Sequence, residues 1–400
     1  MEIRLNYFII NKCLIFNESK VKQEMSKVIT RPAARVKQGA LTLYTTSLKV
    51  SDLLSRNFYS VEALDPDNPN DKGYQRLLNK ARAKKLADYI IAGQETHDAF
   101  LPTSIFMATD KNIPFNEEDN TIDIDIEITG SFSVVDGQHR VEGLRMAAEK
   151  DDRVLEFEVP VNIAINLSKI AQMCHFLIVN TTQRSVEQGV EQRIYARLTH
   201  AFELEDDIPH LPKWIRNTVG KGEDEKALKY VDFLNTNVDS PWKNRIDMAN
   251  KEDKIGSIAQ KSFVKAIKKY LLVADNPVAS KPEDVQHGIF LNYWKAITNI
   301  IGTDDPTVLF KYNGVELFCK FSIPFYHKMI NMPNFKVSTM QSLLQHTFDN
   351  MSGDYAGVGH TEFWISGKKA SGLNVSALTG VNVEMVKALH SSNTLKEIEL

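Results

Sequence analysis

The sequence predicts an α+β protein in which a mixed α/β N-terminal domain is followed by a mainly α-helical C-terminal domain. Four hundred residues exceed what one hydrophobic core usually organises, so two domains are expected. Between Thr103 and Val179, short apolar runs alternate with segments of helical spacing. Beyond His200 the apolar residues recur mostly at helical intervals, separated by loops rich in Asp, Asn and Pro. The expected division is a leader or arm over 1–40, a first domain over 41–200 and a helical domain over 201–400, with the boundary near Thr199 to Pro212.

Taken in order, the region from Tyr44 to about Leu64 mixes strand and short-helix signals, and Asp65 to Asp71 is a loop of turn formers. From Asn79 to Ile91, Ala83, Leu86, Ala87, Ile90 and Ile91 outline a helix with Gly93 as its stop. Strands are expected at Thr103 to Ala108 and at Thr121 to Ile128, where Ile alternates with Asp123, Asp125 and Glu127. Those carboxylates would share one strand face, yet the glycine and terminal glutamate of a calcium loop are missing, so a solvated edge is expected and no metal is assigned. Strand Ser131 to Val135, helix His139 to Ala148, strand Val159 to Ile165 and helix Ser168 to Val179 complete the rhythm. Ser257 to Val273 and Phe290 to Ile301 read as helices of the second domain.

Composition narrows the function. The chain is 43% apolar and 25% charged, as in ordinary globular proteins. With a net charge of −3 and a pI near 6.4, no overall positive field draws it onto nucleic acid, so any DNA contact needs a local basic face. Arg76, Lys80, Arg82, Lys84 and Lys85 offer one, and a solvated helix surface is the competing reading. Cys13, Cys174 and Cys319 are widely spaced and odd in number, which indicates neither a disulfide framework nor a zinc knuckle and suits a reducing cytoplasm. His175 follows Cys174, but adjacent helical residues point apart, so a structural pair is expected. The apolar run Tyr7 to Ile10 is too interrupted for a signal peptide or membrane span. Met25-Ser26-Lys27-Val28 reads like a second candidate translation start.

The chemistry centres on Asp136-Gly137-Gln138-His139-Arg140. A strand that ends in Asp-Gly and turns into a helix gathers free backbone N–H groups and the positive end of the helix dipole, a place that favours an anion. Gly137 removes the Cβ that would hold a phosphate away, His139 and Arg140 add donors, and Asp136 can cap the helix or hold a magnesium ion accompanying a nucleotide. Taken alone, the same residues also fit a plain N-cap, turn and solvated first helical turn.

The stretch Val134 to Leu144 resembles the signature of the DGQHR family, relatives of ParB and sulfiredoxin that include DndB of DNA phosphorothioation and its deazaguanine-system counterpart DpdB. Tyr74-Gln75-Arg76, the helix Arg82 to Ile91, strand Ser104 to Met107 and Val179 to Arg184 stand in the order of a ParB-like domain, over about residues 40 to 200. Ser240 to Asp247 with Gln260 to Phe263 is similar to the helical extension of longer members. The resemblance implies a ParB/sulfiredoxin-like fold and phosphate contacts from Gly137, His139 and Arg140. It implies a second cluster at Asn180, Gln183 and Arg184 near a triphosphate, ATP or another, with Mg. Asp136, Gln138, His139 and Arg140 are the implied catalytic set. Gln138 replaces sulfiredoxin's reactive cysteine, which removes the sulfinic-acid reductase reaction.

No Walker A loop is present, and Gly353 to Gly359 lacks its lysine and hydroxyl, so a flexible loop is expected there. Three functions stay open: an NTP-binding component of a DNA-modification defence system, with or without ATP hydrolysis; a DndB-like repressor of its own operon without catalysis; and, last, a ParB-type nuclease. DNA and other proteins of the system are the expected partners, with homo-oligomerisation left open.

Overall fold

The computed structural model describes residues 28–68, 71–183, 187–204, 212–304 and 306–391; Cys13, Met25 and Arg184 lie outside them. The chain divides into two compact units, one of residues up to Ala63 with Lys72–Val179, the other of Leu64–Asp71 with Asn180–Leu400. The division therefore falls earlier than the expected Thr199 to Pro212, and the turn-rich loop Leu64–Asp71 belongs to the second unit.

In the first unit, eight strands form one mixed sheet. They are β1 (Ile29–Gln38), β2 (Leu41–Lys49), β3 (Tyr59–Ser60), β4 (Ile105–Ala108), β5 (Phe115–Asn116), β6 (Thr121–Ile124), β7 (Phe132–Asp136) and β8 (Glu158–Ala164), in the order β3-β7-β4-β8-β2-β1-β6-β5. The β3–β7 and β4–β8 pairs are parallel and the others antiparallel. Among the described residues, five α-helices accompany them: α1 (Val50–Leu53), α2 (Lys80–Thr96), α3 (Ile126–Thr129), α4 (Gln138–Ala148) and α5 (Lys169–Gln183), the last continuing past Val179 into residues of the second unit. Ile105, Met107, Val134, Val161 and Ile163 from the central strands share a core with Ala87 and Ile90 of α2 and Val141, Leu144 and Ala147 of α4.

Several expectations are corrected. Residues 29–38, assigned to a leader, are a full strand, because alternating burial at Ile29 and Ala33 and ladders to β2 and β6 fix them in the sheet. The strand expected to reach Ile128 stops at Ile124: Asp125 accepts the Glu127 amide at 3.0 Å and opens α3, so Asp125 is a cap rather than a strand residue. Asp123 accepts the Thr30 hydroxyl at 2.6 Å. Helix α2 runs past Gly93, whose hydrogen lets Ala99 pack where a Cβ would lie 2.3 Å from the Ala99 Cβ; His97, in the left-handed conformation, ends it instead.

The second unit is mainly helical. Among its helices, Glu223–Thr236, Gln260–Tyr270, Glu283–Ile301 and Tyr312–Met329 share an aromatic core. Trp242 lies at its heart, with ring centroids 4.8 Å from both Trp294 and Phe310. Gly353–Gly359, expected to be a loose loop, forms 3-10 turns with Val358 buried and Gly359 pressed against Phe348. No helix of the described residues is long and apolar enough to cross a membrane.

Candidate functional site

Strand β7 delivers Asp136 to the edge of the core, and Gly137 turns the chain into α4 with φ of 107°, a conformation that L side chains rarely adopt. The partner strand β4 shifts register between Phe106 and Met107, beside Asp136, so the ladder is irregular where the turn begins. The Arg140 and Val141 amides bond to the Gly137 carbonyl at 2.8 and 3.0 Å, which makes Gly137 the helix cap. The Gln138 and His139 amides precede any helical carbonyl they could reach.

Asp136 is therefore not the cap. Its carboxylate pairs with Arg140 Nη2 at 2.8 Å and folds the guanidinium over Gly137, where a Cβ would lie 3.0 Å from Nη2. The space above the glycine is thus lined by the guanidinium itself. Arg140 Nε is buried and meets no acceptor among the described residues.

His139 does not project freely. Its Nε2 accepts the backbone N–H of Asn79 at 3.0 Å, and Asn79 caps α2 by accepting the Arg82 amide at 3.0 Å. One imidazole therefore ties the start of α4 to the start of α2, and the positive ends of two helix dipoles meet. Burial, followed by the charges of Arg82 and Arg76, drives the His139 pKa down to about 4, so the ring is neutral at physiological pH. With Nε2 acting as acceptor, Nδ1 carries the proton.

Gln138 is buried, and its amide donates to the Arg76 carbonyl at 3.2 Å. Gln75, also buried, donates to the carbonyls of Val134 and Val135 at 2.8 and 2.7 Å. Together they fasten the segment before α2 onto β7. Gly143 completes the assembly, because a Cβ there would lie 3.0 Å from the Ala83 carbonyl and 2.9 Å from Leu86 Cδ2, so α2 and α4 approach closely only with glycine. The structural parts played by Asn79, Gln75 and Gly143 were not read from the sequence. Gly143 carried a signal as a second Gly inside a helical pattern, and Asn79 as a capping residue type where the helical spacing begins.

Of the basic cluster, Lys80, Arg82, Lys84 and Lys85 are exposed on α2, and Arg76 is half-buried. The two acidic residues of that helix face other partners: Asp88 lies 3.6 Å from Lys150 and Glu95 lies 2.5 Å from Arg153. Asn180 and Gln183 occupy the last turn of α5 and are assigned to the second unit. Cys174 is buried, its thiol pushed up to about 12 by desolvation, and burial lowers the His175 pKa.

Residues 31–198 match the family model of DndB, described as DNA-sulfur modification-associated. Over that span the chain is DndB-like. The DndB-like segment starts inside β1, in keeping with that strand being part of the sheet, and contains the whole DGQHR turn with α2. No curated protein and no solved structure matches the chain.

Proposed function

We propose that the chain serves a DNA-modification system, of phosphorothioation or deazaguanine type, by holding the phosphates of a nucleoside triphosphate such as ATP at the DGQHR turn beside DNA. The observation that carries this reading is the joining of two helix starts through His139 and Asn79, with Arg76, Arg82 and Arg140 close enough to shift that histidine. Such a place concentrates positive potential on one anion. Arg140 Nε supports it, because a phosphate oxygen would give this buried donor the acceptor it lacks among the described residues. The residues fit the group: without a Cβ at Gly137 the Arg140 guanidinium lies over the turn, where it would be shared between Asp136 and phosphate, and Asp136 is the carboxylate for an accompanying magnesium ion. On the DGQHR resemblance alone, Asn180, Gln183 and Arg184 are proposed as triphosphate-binding residues. In this reading His139 positions the two helices, with Nδ1–H as its remaining donor, and Gln138 holds the turn.

Binding of ATP with Mg and release of phosphate, compared between wild type and Arg140→Ala, tests the proposal. Weaker binding in the variant is expected, and equal binding and turnover would remove the turn from consideration.

The second reading is a DNA-binding repressor without catalysis, favoured by the exposed Lys80, Arg82, Lys84 and Lys85 on a helix whose carboxylates are engaged elsewhere. Replacing Lys84 and Lys85 by Ala should weaken duplex binding across sequences and flatten the salt dependence by about 2 in log–log slope. Specific promoter binding that survives Arg140→Ala but not the lysine pair points to repression. Other proteins of the modification system are the proposed partners.

A further inference from the structure

The outer surface of α2 has two flanks of different character. With 3.6 residues per turn, Arg82, Lys85 and Tyr89 share one flank, while Lys84, Asp88 and Glu95 share the other. Both carboxylates of the helix lie on the second flank, where Lys150 and Arg153 meet them. The first flank therefore presents cations and an aromatic ring with no acid of its own helix between them. It begins at the DGQHR turn, since Arg82 is close enough to lower the His139 pKa, and Tyr89 stands about 10 Å further along the axis.

At that end sits a second ring. His97, with φ of 56°, reverses the chain, and Ala99 packs against Gly93 in the space only a glycine leaves. The next residue, Phe100, is held by its backbone on both sides: its N–H donates to the Tyr89 hydroxyl at 2.8 Å, and that hydroxyl donates to its carbonyl at 3.3 Å. Phe100 nevertheless leaves 71% of its surface in water, and Tyr89 leaves 46%. A fixed backbone beneath an exposed phenyl ring is a presented side chain rather than a frayed one.

We infer that Tyr89 and Phe100 form a stacking platform for unpaired bases, and that the Arg82–Lys85 flank carries the phosphates of the same single strand towards it. The inference rests on the DNA reading above and deepens it by naming the form of DNA. Cations following a backbone, with aromatic faces at their end, suit single-stranded nucleic acid because every base has a face to stack. In a duplex the bases are already stacked on one another and offer only their edges.

The full-length protein is titrated with a fluorescein-labelled oligothymidine strand and with a duplex of mixed sequence. Phe100→Ala is expected to weaken single-strand binding about five-fold or more while changing duplex binding by less than about two-fold. Phe100→Trp, which keeps an aromatic face, should retain the wild-type affinity, and Tyr89→Phe should lose part of it by freeing the Phe100 backbone. Unchanged single-strand affinity in a folded Phe100→Ala variant overturns the platform, and leaves the exposed ring to a protein partner. The lysine pair separates the two levels. Duplex binding that depends on Lys84 and Lys85 while Phe100→Ala is silent sinks only the platform. Failure of the wild type to bind either form of DNA sinks the DNA reading with it.

Discussion

His139 accepts the Asn79 amide, so the histidine of the signature is the point where the helix after β7 is fastened to the start of the basic helix. A change at this residue therefore acts on two elements at once: the orientation of the DGQHR turn and the placement of Lys80 and Arg82.

The first prediction concerns pH. The His139 ring titrates at about 4 in the folded protein against an ordinary 6.5, chiefly through burial and then through Arg82 and Arg76. Above 6.5 the imidazole is neutral folded or unfolded and contributes nothing to pH dependence. Between 6.5 and about 4 the unfolded chain takes up a proton that the native state refuses, so stability falls as pH drops through that window. An NMR titration of the ring should give a midpoint well below 6.5; a midpoint at the ordinary value would mean the Asn79 contact is not maintained in solution.

Gly137→Ala should destabilise the first unit by about 1–3 kcal/mol, because alanine must adopt a sparsely populated backbone conformation and its methyl meets the Arg140 guanidinium. Urea denaturation of wild type and variant measures it. Arg140→Ala combined with Gly137→Ala should recover the part due to contact and leave the part due to φ, whereas full recovery would locate the whole effect in the side chain.

At Gly143 the obstruction is the backbone carbonyl of Ala83, which cannot rotate away as a side-chain tip can. Gly143→Ala is expected to spread α2 from α4 at about 1–3 kcal/mol, the usual range for overpacking. It should also weaken phosphate binding, because the Asn79–His139 bond sits at the end of that contact. A stable variant with unaltered binding would show that the helices can part without disturbing the turn.

Within the second unit, Arg193 is buried and bidentate to Asp232 at 2.6 and 2.8 Å, with further bonds to Gln260 and to the Pro66 carbonyl. Arg193→Ala should destabilise by about 2–3 kcal/mol, below the figure for a fully buried pair because Asp232 is 40% exposed. It should also loosen Leu64–Asp71, which Arg197 and Lys251 hold as well. Thermal unfolding and limited proteolysis at that loop check both parts; an intact loop in a destabilised variant would confine Arg193 to the helical core.

Much of the first unit was legible from local pattern. Strands β4, β7 and β8 and helices α2 and α4 fall within a few residues of where apolar spacing puts them. The errors lie where a side chain overrides that pattern. Asp125 ends a strand by capping a turn, and Gly93 passes as a helix stop until Ala99 is seen packing on it. Neither event is visible to a periodicity, because each depends on one atom meeting a partner that spacing does not specify.

The amino-acid order alone determined the strand-turn-helix at Asp136 to Arg140, the basic character of the helix from Lys80, and the likeness to the DGQHR family. These depend on residue type, hydropathy period and glycine's freedom of φ, which are properties of neighbours along the chain. Only the tertiary structure decided that Asp136 holds Arg140 rather than capping α4, that the His139 lone pair is taken by Asn79, and that Phe100 is displayed beside Tyr89. Each of those depends on which donor reaches which acceptor across many residues of sequence, and burial together with the neighbouring Arg82 and Arg76 then keeps the His139 ring neutral.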